Sequence, residues 1–315
     1  MDFGLTRITH RLARVKSGMG FLALLGAILP CSALEIEPRL WSHLPIGANF
    51  IGGGYAHSEL DIYLDPALLL EDVEMELDTW VGKYIHSFEL FNHSTRIDVK
   101  QAYQEGKWTG LLDGVPASTS RSGMSDTFVR IGMNVYGAPP LSAKPYRDYR
   151  ALQTAETIVG ISVAIRLPTG NYHNKKLINL GQNRYVVRPQ VGVMHTRGKW
   201  SAELTGEVSI FGDNNEFYNG NKLEQEPLYI THAHLVYTLR PGVSAIASVG
   251  YDYGGESRIN GINKHDRNQN LGWALKMNYP LNRTTGLSMG YVNTKTKGKT
   301  GFDSETVAAG LSYMF

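Results

Sequence analysis

Charged side chains recur at every second position along several short runs of this 315-residue chain. Arg96, Asp98 and Lys100 alternate with Ile97 and Val99, and Arg130 stands between Val129 and Ile131. Arg166 follows Ile165, Arg188 precedes Gln190 by two, and Glu203 and Glu207 alternate with Leu204 and Val208. Asp252 and Lys276 sit in similar runs further on. In an extended chain successive side chains point to opposite faces, so each run carries one wet face and one apolar face. Such a row of charges can screen solutes by charge and size along a water-filled path. It can equally form an ion-pair network that braces an interior, and the residue types alone fit both.

Other constellations carry less. His232 and His234 share one face of a strand-like run, but no third ligand is identifiable, so no metal is assigned. Asp213, Asn214, Asn215 and Glu216 lack the fixed spacing of a calcium loop. His86-Ser87 and His93-Ser94 pair a base with a hydroxyl in sequence, yet neighbours on a strand point to opposite faces and cannot activate one another. We therefore expect no enzyme and no cofactor. The hydroxyl-rich run Pro116 to Gly123, with Asp126 close behind, reads as a loop that folds inward, Ser118, Arg121 and Asp126 forming a constriction, with a solvated surface turn as the alternative.

The elements that must position these residues are strands. Apolar alternation marks Ala48 to His57, Leu77 to Phe88, Thr95 to Tyr103, Thr127 to Tyr136, Ile158 to Leu167 and Tyr185 to Met194. It continues through Trp200 to Phe211, Tyr229 to Leu239, Val243 to Tyr253, Asn270 to Tyr279, Gly286 to Thr294 and Asp303 to Phe315. Twelve strands of about ten residues suit tilted bilayer crossings. Links alternate between short ones, such as Arg240 to Gly242, and long polar ones, such as Gln104 to Asp126, which is the asymmetry of outer-membrane barrels. Gly137 to Thr157 is a Pro-containing link with room for a helix from about Ser142 to Gln153. Facing a cost of about 2 to 4 kcal/mol for each Arg or Lys exposed to lipid near the midplane, all the charges above must point into the lumen. A soluble sandwich or cup is disfavoured because twelve closed strands enclose more space than such small inward residues fill.

Composition agrees. With 42% hydrophobic residues and mean hydropathy of −0.23 the chain is too polar for a helical membrane protein. A net charge of +2 without a dense basic patch gives no reason for a nucleic-acid partner. Arg7, Arg11, Arg14 and Lys16 precede the apolar run Met19 to Leu29 and the small residues Cys31-Ser32-Ala33, so residues 1–33 read as a cleaved signal peptide. Cys31 is the only cysteine, leaving the remainder with no disulfide and no thiol nucleophile. Residues 34–47 are then a periplasmic segment and 48–315 the barrel. Val307, Ala309, Leu311, Tyr313 and Phe315 alternate to the last residue, an arrangement like the C-terminal signal read by the barrel-assembly machinery, with Tyr313 and Phe315 as its aromatic contacts.

Several runs are familiar. Asn49-Phe50-Ile51 with Gly53-Gly54-Tyr55-Ala56, the pairs Asp65-Pro66 and Glu71-Asp72, and Leu111 through Gly123 are the densest. Gly137-Ala138-Pro139, Ile178 to Gly181 with Asn183-Arg184, and Phe211 with Asp213-Asn214 and Glu216-Phe217 extend them. Together they resemble the outer-membrane transporter family of the meta-pathway of phenol degradation. The resemblance implies an all-β, closed antiparallel barrel in the bacterial outer membrane, surrounded by its lipid and passing a small-molecule solute. An aromatic or hydrophobic solute rests on that resemblance alone. The competing expectations are a structural or adhesive barrel without transport and an outer-membrane lipid hydrolase. Twelve strands, an even number, place both termini in the periplasm.

Overall fold

The computed structural model describes residues 37–63, 70–112 and 114–315. The proposed signal peptide, residues 1–33, lies outside the described residues. Among the described residues, seventeen strands and one helix follow in chain order. They are β1 (Asn49–Tyr63), β2 (Leu70–Leu90), β3 (His93–Leu112), β4 (Val115–Met124), β5 (Thr127–Tyr136), α1 (Ala143–Leu152), β6 (Ala155–Leu167), β7 (Val186–Arg197) and β8 (Trp200–Phe211). Then come β9 (Asn214–Phe217), β10 (Asn221–Gln225), β11 (Leu228–Arg240), β12 (Val243–Gly254), β13 (Ser257–Ile259), β14 (Ile262–Asn263), β15 (Asn268–Pro280), β16 (Thr285–Thr296) and β17 (Gly301–Met314).

Twelve of these close an antiparallel barrel in the order β1-β2-β3-β5-β6-β7-β8-β11-β12-β15-β16-β17, and β17 returns to β1. Every neighbour in the ring is a sequence neighbour among barrel strands except at that seam. There Ile51 pairs with Tyr313, Gly54 with Gly310 and Tyr63 with Gly301. The amide of Asn49 donates to the Phe315 carbonyl at 3.0 Å, and the amide of Phe315 donates back to the Asn49 carbonyl at 2.9 Å. Closure removes the edge that lipid could not solvate.

The alternation is the one expected from the sequence. On β6, Ile161, Val163 and Ile165 are exposed while Ser162 and Ala164 are buried; on β7, Val187, Val191 and Val193 are exposed while Arg188, Gln190 and Gly192 are buried. Apolar side chains thus form the outer surface and polar ones the interior, the inverse of a soluble sandwich. Tyr136, Tyr185, Trp200, Tyr253, Tyr279 and Phe315 are exposed on the outside near strand ends and Tyr103 midway along β3, and Tyr237 packs on Trp200 with ring centroids 4.6 Å apart. These are the interfacial aromatics of a transmembrane barrel.

The two ends differ. The end that carries Asn49 and Phe315 has links as short as Phe91-Asn92 between β2 and β3 and Pro241-Gly242 between β11 and β12. Its one long link holds α1, whose limits match the expected helix: Ser142 is the N-cap and Gln153 the C-cap. The opposite end is built up beyond the expected strand lengths. The sequence 104–126, expected as a loop, is the upper part of β3 together with β4, which pair as a hairpin from Tyr103↔Met124 to Leu112↔Val115. Gly114, with φ of +73°, is part of the turn that joins them. The loops 212–227 and 255–267 likewise contain β9, β10, β13 and β14, which pair into a separate four-stranded sheet. Leu177, Phe217, Leu223 and Ile259 form its small apolar core. A second apolar cluster of Ile62, Val73, Met75, Leu77, Trp108, Ile178 and Phe302 joins β1, β2, β3 and β17 at this end.

Residues 37–44, expected as a periplasmic segment ahead of the barrel, run inside the ring. Among the described residues no helix is long and apolar enough to cross a membrane, and the strands do the crossing.

Candidate lumen site and its plug

The inward row of charges is paired up in two clusters. Asp98 of β3, 0% exposed, accepts from Arg96 Nη2 at 3.0 Å and from the guanidinium of Arg130 on β5. Arg188 of β7 donates to Glu207 of β8 at 2.5 Å, and Glu207 also accepts from Gln190, which in turn accepts from Ser162. Register explains these pairs, since Asp98 lies directly opposite Arg130 and Gln190 directly opposite Glu207. Burial demands them as well, because an unpaired charge in such surroundings is strongly destabilising.

Glu203 differs from the other acids. Its carboxylate accepts the backbone N–H of Arg39 at 2.8 Å and of Leu40 at 3.0 Å, so it holds the incoming segment rather than a neighbouring cation. One residue further, the Trp41 Nε1–H donates to Thr205 Oγ1 at 2.8 Å. The indole, 1% exposed, lies against β6 and β7 where both inward positions are glycine. A Cβ on Gly160 would sit 2.0 Å from the Trp41 ring, and one on Gly192 would sit 2.1 Å from its Nε1. Gly160 and Gly192 are cross-strand partners, so the missing side chains make one slot. Leu40, Ala138, Ile158 and Met194 complete its apolar lining.

The other anchor of the segment is electrostatic. Glu37 accepts from Lys100 Nζ at 2.6 Å and from Arg130 Nη1 at 2.6 Å, with Lys83 Nζ at 3.9 Å. It thereby joins β2, β3 and β5, while Arg39 to Trp41 reach β6, β7 and β8. At the terminal end His43 Nε2 bonds the Pro139 carbonyl at 2.8 Å, and the Tyr146 hydroxyl of α1 donates to the His43 carbonyl at 3.0 Å. The segment therefore plugs the half of the lumen walled by β2 to β8. Between it and the wall lies a small space lined by Glu37, Phe128, Arg130, Arg188, Glu207 and His232 among others. Lys100 lies 4.1 Å from the centroid of the Phe128 ring, with Arg130 and Arg188 near 6 Å, at 5.7 and 5.8 Å.

The opposite wall is bare. Over the middle of β1, β16 and β17 the inward residues Gly52, Gly54, Ala56, Ser288, Gly290, Ala308 and Gly310 are small and half-exposed, whereas nearer the far end the same row carries the buried Ile62, Thr294, Phe302 and Ser304. The corresponding rows of β6 to β8 are mostly buried. Two of the inward charges expected from the sequence stand apart from the network. Asp252 of β12 accepts from the side chain and backbone of Asn270 at 3.0 and 3.2 Å, and Lys276 lies half-buried on β15. Arg166 is half-buried at the end of β6 farthest from the termini.

Of the residues expected to form a constriction, Ser118 is exposed on β4, whose backbone pairs with β3 as a hairpin. Arg121 donates to the Ile178 carbonyl at 3.2 Å, and Asp126 accepts the amides of Gly170 and Gln182, each at 2.9 Å. Both fasten the loop 168–185. The narrowing comes from Glu37, Leu40 and Trp41, which sequence reasoning missed. The available signal was two glycines at inward positions of adjacent strands, a gap that needs a side chain from elsewhere. His232 and His234 are inward and buried with ring centroids 6.1 Å apart, and His234 Nδ1 lies 2.8 Å from Ser248 Oγ. No group of three or more His, Cys, Asp or Glu able to hold a metal occurs among the described residues.

Closed ring, apolar exterior and charged interior define a transmembrane β-barrel of the outer-membrane type. The family described as "Putative MetA-pathway of phenol degradation" matches residues 53–312, and the chain belongs to it. Among solved structures, an outer membrane channel from Pseudomonas putida F1 is similar with a TM-score of 0.74 at 22% identity, covering 89% of this chain and 100% of that one. The transport unit of the autotransporter AIDA-I from Escherichia coli is more distant, with a TM-score of 0.51 at 11% identity over 94% and 98% of the two chains. No curated protein matches the chain.

Proposed function

We propose that this protein is a passive outer-membrane channel for small molecules, with both termini in the periplasm and residues 37–44 as the element that narrows its lumen. The observation that carries the reading is the asymmetry of the interior. One wall is filled by the plug and its ion pairs, while the wall of β16, β17 and β1 keeps small, half-exposed residues beside it. A brace alone has no need of a bare wall. Arg96, Arg130, Arg188 and Glu207 set the charge of the filled side, Glu203 anchors the plug, and Arg166, Asp252 and Lys276 line the remaining path. Family membership supports a solute of the phenol type, and the chain's similarity to an outer membrane channel supports passage over catalysis.

Outer-membrane lipid surrounds the exposed apolar row in this reading, and the barrel-assembly machinery engages Tyr313 and Phe315. A structural barrel without transport is the second reading, favoured by the buried pairs of Asp98 and Glu207. Planar-bilayer recordings and proteoliposome flux of phenol, benzoate and sugars separate the two. The channel reading expects ion current and faster entry of aromatic solutes; a purified, folded barrel that passes neither current nor solute would leave only the structural one.

A further inference from the structure

At the end of the barrel away from the termini, one cation stands out. Arg184, just before β7, is 5% exposed, and its Nε and Nη1 have no hydrogen-bond partner. Those two atoms carry three of the five N–H donors of a guanidinium. Only Nη2 is engaged, donating to the amide oxygen of Gln225, a neutral group on β10. The guanidinium carbon lies 4.7 Å from the centroid of the Phe211 ring. Phe211 ends β8 on the same inward row as Glu203, Glu207 and Ser209.

No carboxylate hydrogen-bonds this guanidinium among the described residues: Asp126 and Asp213 act on it only at a distance, Asp126 being held by the amides of Gly170 and Gln182 and Asp213 by Lys222 Nζ at 2.8 Å. The nearby Arg166 adds a like charge, and burial followed by Arg166 pulls the Arg184 guanidinium down to about 10. A buried cation with no directly bonded counter-ion is costly, and each unsatisfied donor adds to that cost.

We propose that Arg184, with Arg166 beside it and Phe211 beneath, forms a binding site for a small organic carboxylate at the outer mouth of the lumen. A planar carboxylate matches the guanidinium's fixed donors, and charge-assisted bonds of this kind are stronger than neutral ones. Phe211 offers the guanidinium an aromatic face 4.7 Å away. Gln225 and the sheet of β9, β10, β13 and β14 close the site, so the anion enters as Gln225 releases Nη2. The site deepens the channel reading by naming the charge class of a solute, and it rests on that reading for its place on a transport path.

Titration calorimetry of the full, folded barrel in detergent tests the site, with benzoate and benzyl alcohol as probes that share a ring and differ in charge. Wild type is expected to bind benzoate at least ~10-fold more tightly than benzyl alcohol, about the value of one charge-assisted hydrogen bond. Arg184→Gln should abolish that preference and leave benzyl alcohol unchanged, whereas Arg184→Lys should keep part of it. Equal binding of the two probes by wild type, or an undiminished preference in Arg184→Gln, would overturn the proposal. Should Arg184→Gln fail to assemble, Arg184→Lys decides: a preference as large as wild type rejects the guanidinium site. Because binding is read without a membrane, a barrel that binds benzoate but conducts nothing would remove the channel reading and keep the site.

Discussion

Trp41 Nε1 donates to Thr205 Oγ1 across 2.8 Å, a bond between residues 164 positions apart that fixes an indole inside a barrel whose first strand has not yet begun. The bond lasts only as long as the glycine slot stays empty of side chains.

Gly160→Ala tests that dependence. Its Cβ would overlap the six-membered ring of Trp41 at 2.0 Å and meets nothing else as closely, so the indole and not the wall has to move. Docking should weaken by on the order of 2–3 kcal/mol, the value of burying a large apolar side chain. Single-channel conductance should rise while heat-modifiable migration of the barrel stays as in wild type. Unchanged conductance would show that the segment does not limit the lumen.

Asp98→Asn addresses the brace. Asp98 is the shared acceptor of Arg96 and Arg130, and all three are largely removed from water. Neutralising it removes the counter-charge between Arg96 and Arg130 and leaves Arg130 with Glu37 alone, a loss of up to about 3–5 kcal/mol by the measure of broken buried pairs. The denaturation midpoint of the folded barrel should fall accordingly. An unshifted midpoint would mean that water already screens the pair.

The seam gives a third expectation. Phe315 lies on the outer surface, its ring 5.9 Å from that of Tyr313, and its backbone exchanges both hydrogen bonds with Asn49. Deleting Phe315, or replacing Tyr313 and Phe315 by Asp, should lower the amount of heat-modifiable protein recovered in outer membranes. Normal recovery would mean that neither the aromatic row nor the last pair of backbone bonds guides assembly.

How far residues alone lead can be read from particular elements. The period-two pattern of Val159 to Leu167 and of Val307 to Phe315 located their strands and faces, since a barrel wall has an apolar and a polar side throughout. Ser142 and Gln153 bounded α1 as expected. Lengths failed at the end away from the termini, where β2 and β3 rise past Leu77 and Tyr103: above the lipid the outer face turns polar, as at Glu74, Glu76 and Glu105, and alternation loses its contrast. The short strands β9, β10, β13 and β14 are below the length at which any period is visible. The plug was hidden for another reason. Glu37 to Leu44 has no regular structure and no period, and what holds it is a vacancy on strands far along the chain.

That separation bears on the order in which the molecule can be completed. Trp41 leaves the ribosome before its seat on β6, β7 and β8, and β1 cannot close on β17 until the last residues are present. The segment made first is therefore among the last to find its place. Ring closure traps it, so a chain that seals its β1 and β17 edges with Trp41 outside would hold a correct wall around an unoccupied slot, and repair would require threading the segment through the mouth beside α1.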